Sequence, residues 1–166
     1  MHIYFEEKQR FRQWWLWLLL LGVSLIPLYG IYQQIFLHEQ FGDNPMPDIG
    51  LIVLSLFMLS FVIFFWTLEL RTHIDKETIK IQFFPITKKE IKWKDIAQAQ
   101  VVNYGFVGGW GIKLSTKYGV VYNTSGKMGL ALQLKNGKKI CVGTQKAEEL
   151  KRILKQAGKQ QIITSS

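Results

Sequence analysis

QWWLWLLLLGVSLIPLYGIYQQIFL at residues 13–37 and IGLIVLSLFMLSFVIFFWTL at residues 49–68 contain no Asp, Glu, Lys or Arg. An α-helix rises about 1.5 Å per residue, so roughly 20 apolar residues reach across the hydrocarbon core of a bilayer. Both stretches have that length. A surface helix of a water-soluble domain carries one polar face, and neither stretch has one. The pattern predicts a transmembrane helical hairpin over residues 14–68 with a short external loop at 38–48.

The ends of the two stretches suit membrane borders. Trp14, Trp15 and Trp17 stand at the first entry, Tyr29 and Tyr32 near its exit, and Trp66 at the close of the second. Rings that are apolar with one polar edge prefer headgroup depth. Lys8, Arg10 and Arg12 precede the first stretch and Arg71 follows the second, whereas the loop holds Glu39, Asp43 and Asp48 without a Lys or Arg. Basic residues stay on the cytoplasmic side, which predicts both termini inside and the loop outside. Asn44-Pro45-Met46-Pro47 fits the turn, since each proline drives the residue before it out of helical geometry. The first apolar run is too long for a cleaved signal peptide. Neither run holds an ionisable residue of the kind that marks an ion or proton path.

Residues 69–166 are enough for one small domain. They carry 18 of the 21 basic residues and only seven of the 12 acidic ones. Beneath an anionic leaflet such a surface gains about 1 kcal/mol per suitably placed Lys or Arg. Cys141 is the single cysteine, so no intrachain disulfide forms, and its place in Lys139-Ile140-Cys141-Val142 suits a small buried apolar residue.

In this half the hydropathy period becomes two. Thr78-Ile79-Lys80-Ile81-Gln82-Phe83 alternates, and so do Glu90-Ile91-Lys92-Trp93 and residues 129–135. Asn136-Gly137 between alternating runs marks a hairpin in which both turn residues take positive φ. Further turns are expected at Asp75-Lys76-Glu77, Lys117-Tyr118-Gly119 and Ser125-Gly126. About seven short antiparallel strands follow, in a small barrel or sandwich. A C-terminal amphipathic helix comes next, capped by Thr144, with Ala147, Leu150, Leu154 and Ala157 as its apolar stripe and Gly158 as its stop. The domain is thus expected over 69–157, with residues 1–13 as a separate N-terminal segment and 158–166 as a flexible tail.

Trp93-Lys94-Asp95-Ile96, Gly109-Trp110-Gly111-Ile112-Lys113 and the run from Leu134 through Asn136-Gly137 to Gln145 resemble the bacterial PH-domain membrane proteins. The resemblance covers about residues 67–155. It implies a pleckstrin-homology-like fold behind a transmembrane hairpin, in a bacterial plasma (inner) membrane. It implies little about activity, because one fold hosts many functions. Phosphoinositide-binding relatives of that fold place a basic cluster between their first two strands. Here that turn holds Asp75, Lys76 and Glu77, nearly balanced, so that ligand is not carried over.

Chemistry is thinly supplied. The domain has one histidine, His73, and one cysteine, and no spacing suits a zinc site. No nucleophile with a base beside it is visible, so neither catalysis nor a cofactor is expected. Tyr104-Gly105-Phe106-Val107-Gly108-Gly109-Trp110-Gly111 is glycine-rich, yet no Gly-Lys-Ser/Thr follows it as in a nucleotide-binding loop. Two structural roles are open for it: a bulge with Trp110 packed inside, or a loop that offers Phe106 and Trp110 to lipid or protein. Lys88, Lys89, Lys92 and Lys94 form a basic strand–turn region, in which Lys92 and Lys94 point the same way and make one face. No nucleic-acid motif accompanies the charge, and nucleic acid is not an expected partner. The leading expectation is a non-catalytic membrane protein whose domain docks a protein partner or self-associates. The alternative is a sensor that grips anionic lipid headgroups through the four lysines.

Overall fold

The computed structural model describes residues 3–106 and 108–156. The chain divides into two compact units, Arg12–Thr67 on one hand and Met1–Phe11 with Leu68–Ser166 on the other.

The first unit is the helical hairpin. Helix α1 (Trp14–Ile31) runs on through one π-helical turn, Tyr32–Phe36, and α2 (Asp48–Thr67) returns. Both are long and apolar enough to cross a membrane, over 23 and 20 residues. Asp48, expected in the loop, instead opens α2, where a carboxylate faces the positive end of the helix dipole. Buried positions are Leu20, Ser24, Pro27 and Gly30 on α1 and Leu51 and Ser55 on α2. The Ser24 and Ser55 hydroxyls donate to the carbonyls of Leu20 and Leu51, four residues back, so neither brings an unpaired donor to the contact. Trp17 and Trp66 meet edge to face at 5.7 Å. Most other side chains, among them Leu18, Leu21, Ile49, Val53 and Phe57, stay exposed. Water-soluble chains rarely leave contiguous apolar surface of that extent uncovered.

The second unit holds nine strands and one helix among the described residues. Strands β1 (Ile3–Arg10), β2 (Glu69–Asp75), β3 (Thr78–Phe84) and β4 (Thr87–Lys92) pair antiparallel in that order. Strands β5 (Ile96–Asn103), β6 (Gly111–Thr116), β7 (Gly119–Asn123), β8 (Met128–Leu134) and β9 (Lys139–Gly143) form a second sheet in the order β5-β8-β9-β7-β6. Helix α3 (Ala147–Gln156) closes the described fold.

Four expectations need correction. The strands number nine, not seven. Among the described residues no barrel closes: β4 pairs only with β3, and β5 only with β8, so both sheets remain open. The strands are not all antiparallel, because β9 enters between β8 and β7 and runs parallel to β7 from Val120↔Ile140 to Tyr122↔Val142. Residues 3–10, expected to stand apart ahead of the helices, are the first strand of the domain and pair with β2 from Arg10↔Glu69 to Ile3↔Asp75.

Alternation explains the core. Phe5, Leu70, Ile74, Ile79, Ile81 and Phe83 from the first sheet are buried, as are Val121, Leu130, Leu132 and Val142 from the second and Leu150 and Leu154 from α3. Turn chemistry holds the ends. Asp75 Oδ1 accepts from the Glu77 and Thr78 amides at 2.9 and 2.6 Å, which fixes the β2–β3 turn where the sequence puts it. The β8–β9 hairpin also forms at Asn136-Gly137, but only Gly137 takes positive φ (83°). Its amide donates to the Leu134 carbonyl, and the Leu134 amide to that of Lys138, so the loop has three residues rather than two. Thr144 Oγ accepts from the Lys146 amide at 3.0 Å, just ahead of α3. Ala157, Gly158 and the tail at 158–166 lie outside the described residues.

Candidate functional site

Strand β4 turns the expected lysine cluster into something more dispersed. Lys88, Glu90 and Lys92 are exposed along one side, while Thr87, Lys89 and Ile91 point to the other. Lys89 Nζ lies 5.7 Å from the centre of the Tyr122 ring. The strand ends at Lys92, because Trp93 is buried and drawn inward: its amide donates to the Glu77 carbonyl and its Nε1 to the Asp75 carbonyl, both at 3.0 Å. Lys94 consequently sits in a 3₁₀ turn, Trp93–Asp95, and does not continue the row of Lys92. The four lysines do not share one face, and Glu90 dilutes the pair that does.

The glycine-rich loop between β5 and β6 is held at both ends. Tyr104 is buried in a small cluster with Val121 and Cys141. Asn123 Nδ2 donates to Tyr104 Oη at 3.4 Å and to the Gly109 carbonyl at 3.3 Å, and the Gly105 amide donates to Asn103 Oδ1 at 3.0 Å. Gly105, Gly108, Gly109 and Gly111 all have φ between 66° and 109°, a region that side chains make costly, so the loop path depends on glycine. On this frame Phe106 is 84% exposed and Trp110 38%. Trp110 is therefore not the core residue of a bulge. Val107 lies outside the described residues. On the edge strand β6, Leu114 is 72% exposed, and the pairing with β7 breaks between Lys113 and Thr116. Sequence reasoning reached Phe106 and Trp110. It missed Leu114, because alternation in Ile112-Lys113-Leu114-Ser115 assigns the apolar side to the core, whereas Leu114 is exposed.

The remaining chemistry is structural. Burial pushes the Cys141 thiol up to about 12, far from a thiolate at neutral pH. Among the described residues no group of three or more His, Cys, Asp or Glu could hold a metal. A cleft of about 160 Å³ on the second sheet is lined by Gln98, Gln100, Gln133, Lys117 and Lys139 and contains no carboxylate, histidine or thiol. A second cleft, of about 320 Å³, includes Tyr4, Trp93 and Asp75. Asp75 is committed already: burial opposes its ionisation, but the Glu77 and Thr78 amides, the Thr78 hydroxyl and Lys80 outweigh that and hold it below the usual carboxylate range. It is poorly suited to carry protons at neutral pH.

No local pattern announces the polar contacts that bind β1 into the domain. Glu7, buried, accepts from Thr144 Oγ at 2.6 Å and from the Gln145 amide at 2.7 Å. Gln9, also buried, donates to the Gly143 carbonyl at 2.7 Å and accepts from Thr124 Oγ at 3.1 Å. At the end of the strand Arg10 and Arg71 both donate to the Glu69 carboxylate, at 2.8 and 2.6 Å. No protein-family model matches this chain, and neither a curated protein nor a solved structure does.

Proposed function

We propose that the chain is a non-catalytic integral membrane protein of a bacterial plasma membrane, whose sheet domain is a PH-like docking module on the cytoplasmic side. Two apolar helices with largely exposed surfaces support the membrane part. The pairing of β1 with β2 supports one orientation for both ends of the hairpin, since strands that share a ladder share a side. The lysine-rich domain then favours the cytoplasmic side. A four-stranded meander, a second sheet and one amphipathic helix after the last strand support the PH-like reading. The parallel β7–β9 pair is a departure from it.

The observation that carries the docking role is Phe106, exposed on a loop whose ends are fastened by Tyr104, Asn103 and Asn123. A large apolar ring on a loop fastened at both ends makes a good anchor. Leu114 on the edge strand that follows is exposed as well. The occupant is a protein, either a different chain or a second copy. A photo-crosslinking phenylalanine analogue at position 106, in the full chain in its native membrane, tests this. A discrete adduct from 106, absent when the probe replaces Lys138, is expected; at about twice 19.3 kDa it identifies a second copy. Equal or no crosslinking at the two positions rejects the docking role. The headgroup-sensing alternative now rests on Lys88 and Lys92 alone as a shared face, which is a weaker basis than four aligned lysines.

A further inference from the structure

The turn between β3 and β4 is apolar where a soluble turn is polar: Phe84 is 40% exposed and Ile86 53%, with Pro85 between them. Hydrogen bonding closes it tightly, the Ile86 amide donating to the Phe83 carbonyl at 2.8 Å. Register locates it. Phe84 pairs with Glu69, Glu69 pairs with Arg10, and the next row back is Lys8, Arg71, Gln82 and Lys88. Glu69 follows the end of α2 by two residues and Arg10 precedes α1 by four. Phe84 is thus laddered to the second residue that follows α2 in the chain. The turn is therefore tied to the end of the first sheet where the chain passes to both helices.

The rows are zoned. The apolar tip comes first. Arg10 stands level with Phe84, in the same row, and Lys8, Arg71 and Lys88 form the next row on that face, about 7 Å behind. Arg71 covers the Phe84 ring at 5.6 Å from its centre, and Glu69, the acidic member, is neutralised by two arginines. Glu90 enters only a row later, and Glu6, in that same later row, reaches back to Lys8 at 3.4 Å, a pair exposed to solvent. Apolar side chains backed by cations match the order in which an anionic bilayer presents acyl chains and then phosphates.

We propose that Phe84, Pro85 and Ile86 insert into the bilayer interface as a third membrane contact, with Lys8, Arg10, Arg71 and Lys88 against the phosphates. The inference rests on the membrane reading above. It assigns the turn to lipid, and leaves the Phe106 loop free for protein.

The test uses the full chain in vesicles of phosphatidylethanolamine and phosphatidylglycerol, with an environment-sensitive fluorophore on a single introduced cysteine. Cys141 is buried with its thiol pushed up to about 12, so it leaves the introduced site selective. Phe57→Cys on α2 reports insertion of the helices, Ile86→Cys reports the turn, and Lys138→Cys is the aqueous reference. Nitroxide-labelled lipid is expected to quench the probes at 57 and 86, and iodide to quench the probe at 138 several-fold more strongly than that at 86. Lipid quenching at 57 with iodide quenching at 86 equal to that at 138 overturns the third contact and leaves the membrane reading standing. No lipid quenching at 57 removes both.

Discussion

At the scale of single residues, the buried carboxylates set how the protein responds to acid. Burial alone raises the Glu69 carboxyl, but hydrogen bonds and charge from Arg10 and Arg71 outweigh it, and the group lies below the ordinary carboxylate range. Asp75 lies low for the analogous reason. A carboxyl whose folded pKa is depressed contributes stability that is present above its unfolded value and lost as pH falls through the folded one. The melting temperature in detergent is therefore expected to hold from pH 7 to about 5 and to drop below about 4. Glu69→Gln should melt lower at pH 7 and show a shallower acid drop. An unchanged drop would assign the acid response to other groups. Asp75→Ala removes the acceptor for two amides and a hydroxyl in the β2–β3 turn and is expected to cost about 1–3 kcal/mol by denaturant titration. Cys141 should resist alkylation at pH 8 in the native protein and react on unfolding, read by intact mass.

At the scale of elements, the instructive strand is β1. Its positions alternate between buried and exposed, but two of the inward ones are Glu7 and Gln9, so residues 6–10 read as an unbroken polar run with no period of two. What makes those side chains acceptable inside is a set of partners 115 to 138 residues away, at Thr124, Gly143, Thr144 and Gln145, and no local pattern reveals them. The parallel β7–β9 pair was hidden for a related reason, since it is set by where a hairpin inserts. By contrast, the two helices, the Asp75 turn, the Asn136-Gly137 hairpin and the Leu150–Leu154 face were legible because each is governed by neighbours in the chain. Lys94 shows the limit of a periodicity argument: alternation puts it beside Lys92, and the buried indole of Trp93 ends the strand first. Of the site, Phe106 was legible as a large residue among glycines, and its exposure was not. The domain is expected to need its first strand. A fragment of residues 69–166 should show poor amide dispersion by NMR and bind a hydrophobic dye. Joining residue 11 to residue 68 by a short turn in place of Arg12–Thr67 should give a folded soluble domain, because Arg10 and Glu69 are adjacent in the ladder. Equal folding of the two polypeptides would show that β1 is dispensable.

At the scale of the molecule, the helical hairpin is inserted between two neighbouring strands of one sheet. In intact cells Glu39→Cys should react with an impermeant maleimide, and Lys138→Cys only after permeabilisation; the reverse pattern would invert the topology. The arrangement also bears on how the protein is made. During synthesis β1 emerges first and has no partner until Arg12–Thr67 has been threaded and β2 follows. If α2 fails to return across the bilayer, the two strands end on opposite faces and the ladder cannot zip. Glu7 and Gln9 then stay in water, Thr144 and Gly143 lack their partners, and the domain is left open to proteolysis. On the proposed topology, completion of the sheet would serve as a proofreading step for biogenesis, in which only a correctly threaded anchor yields a protease-resistant head.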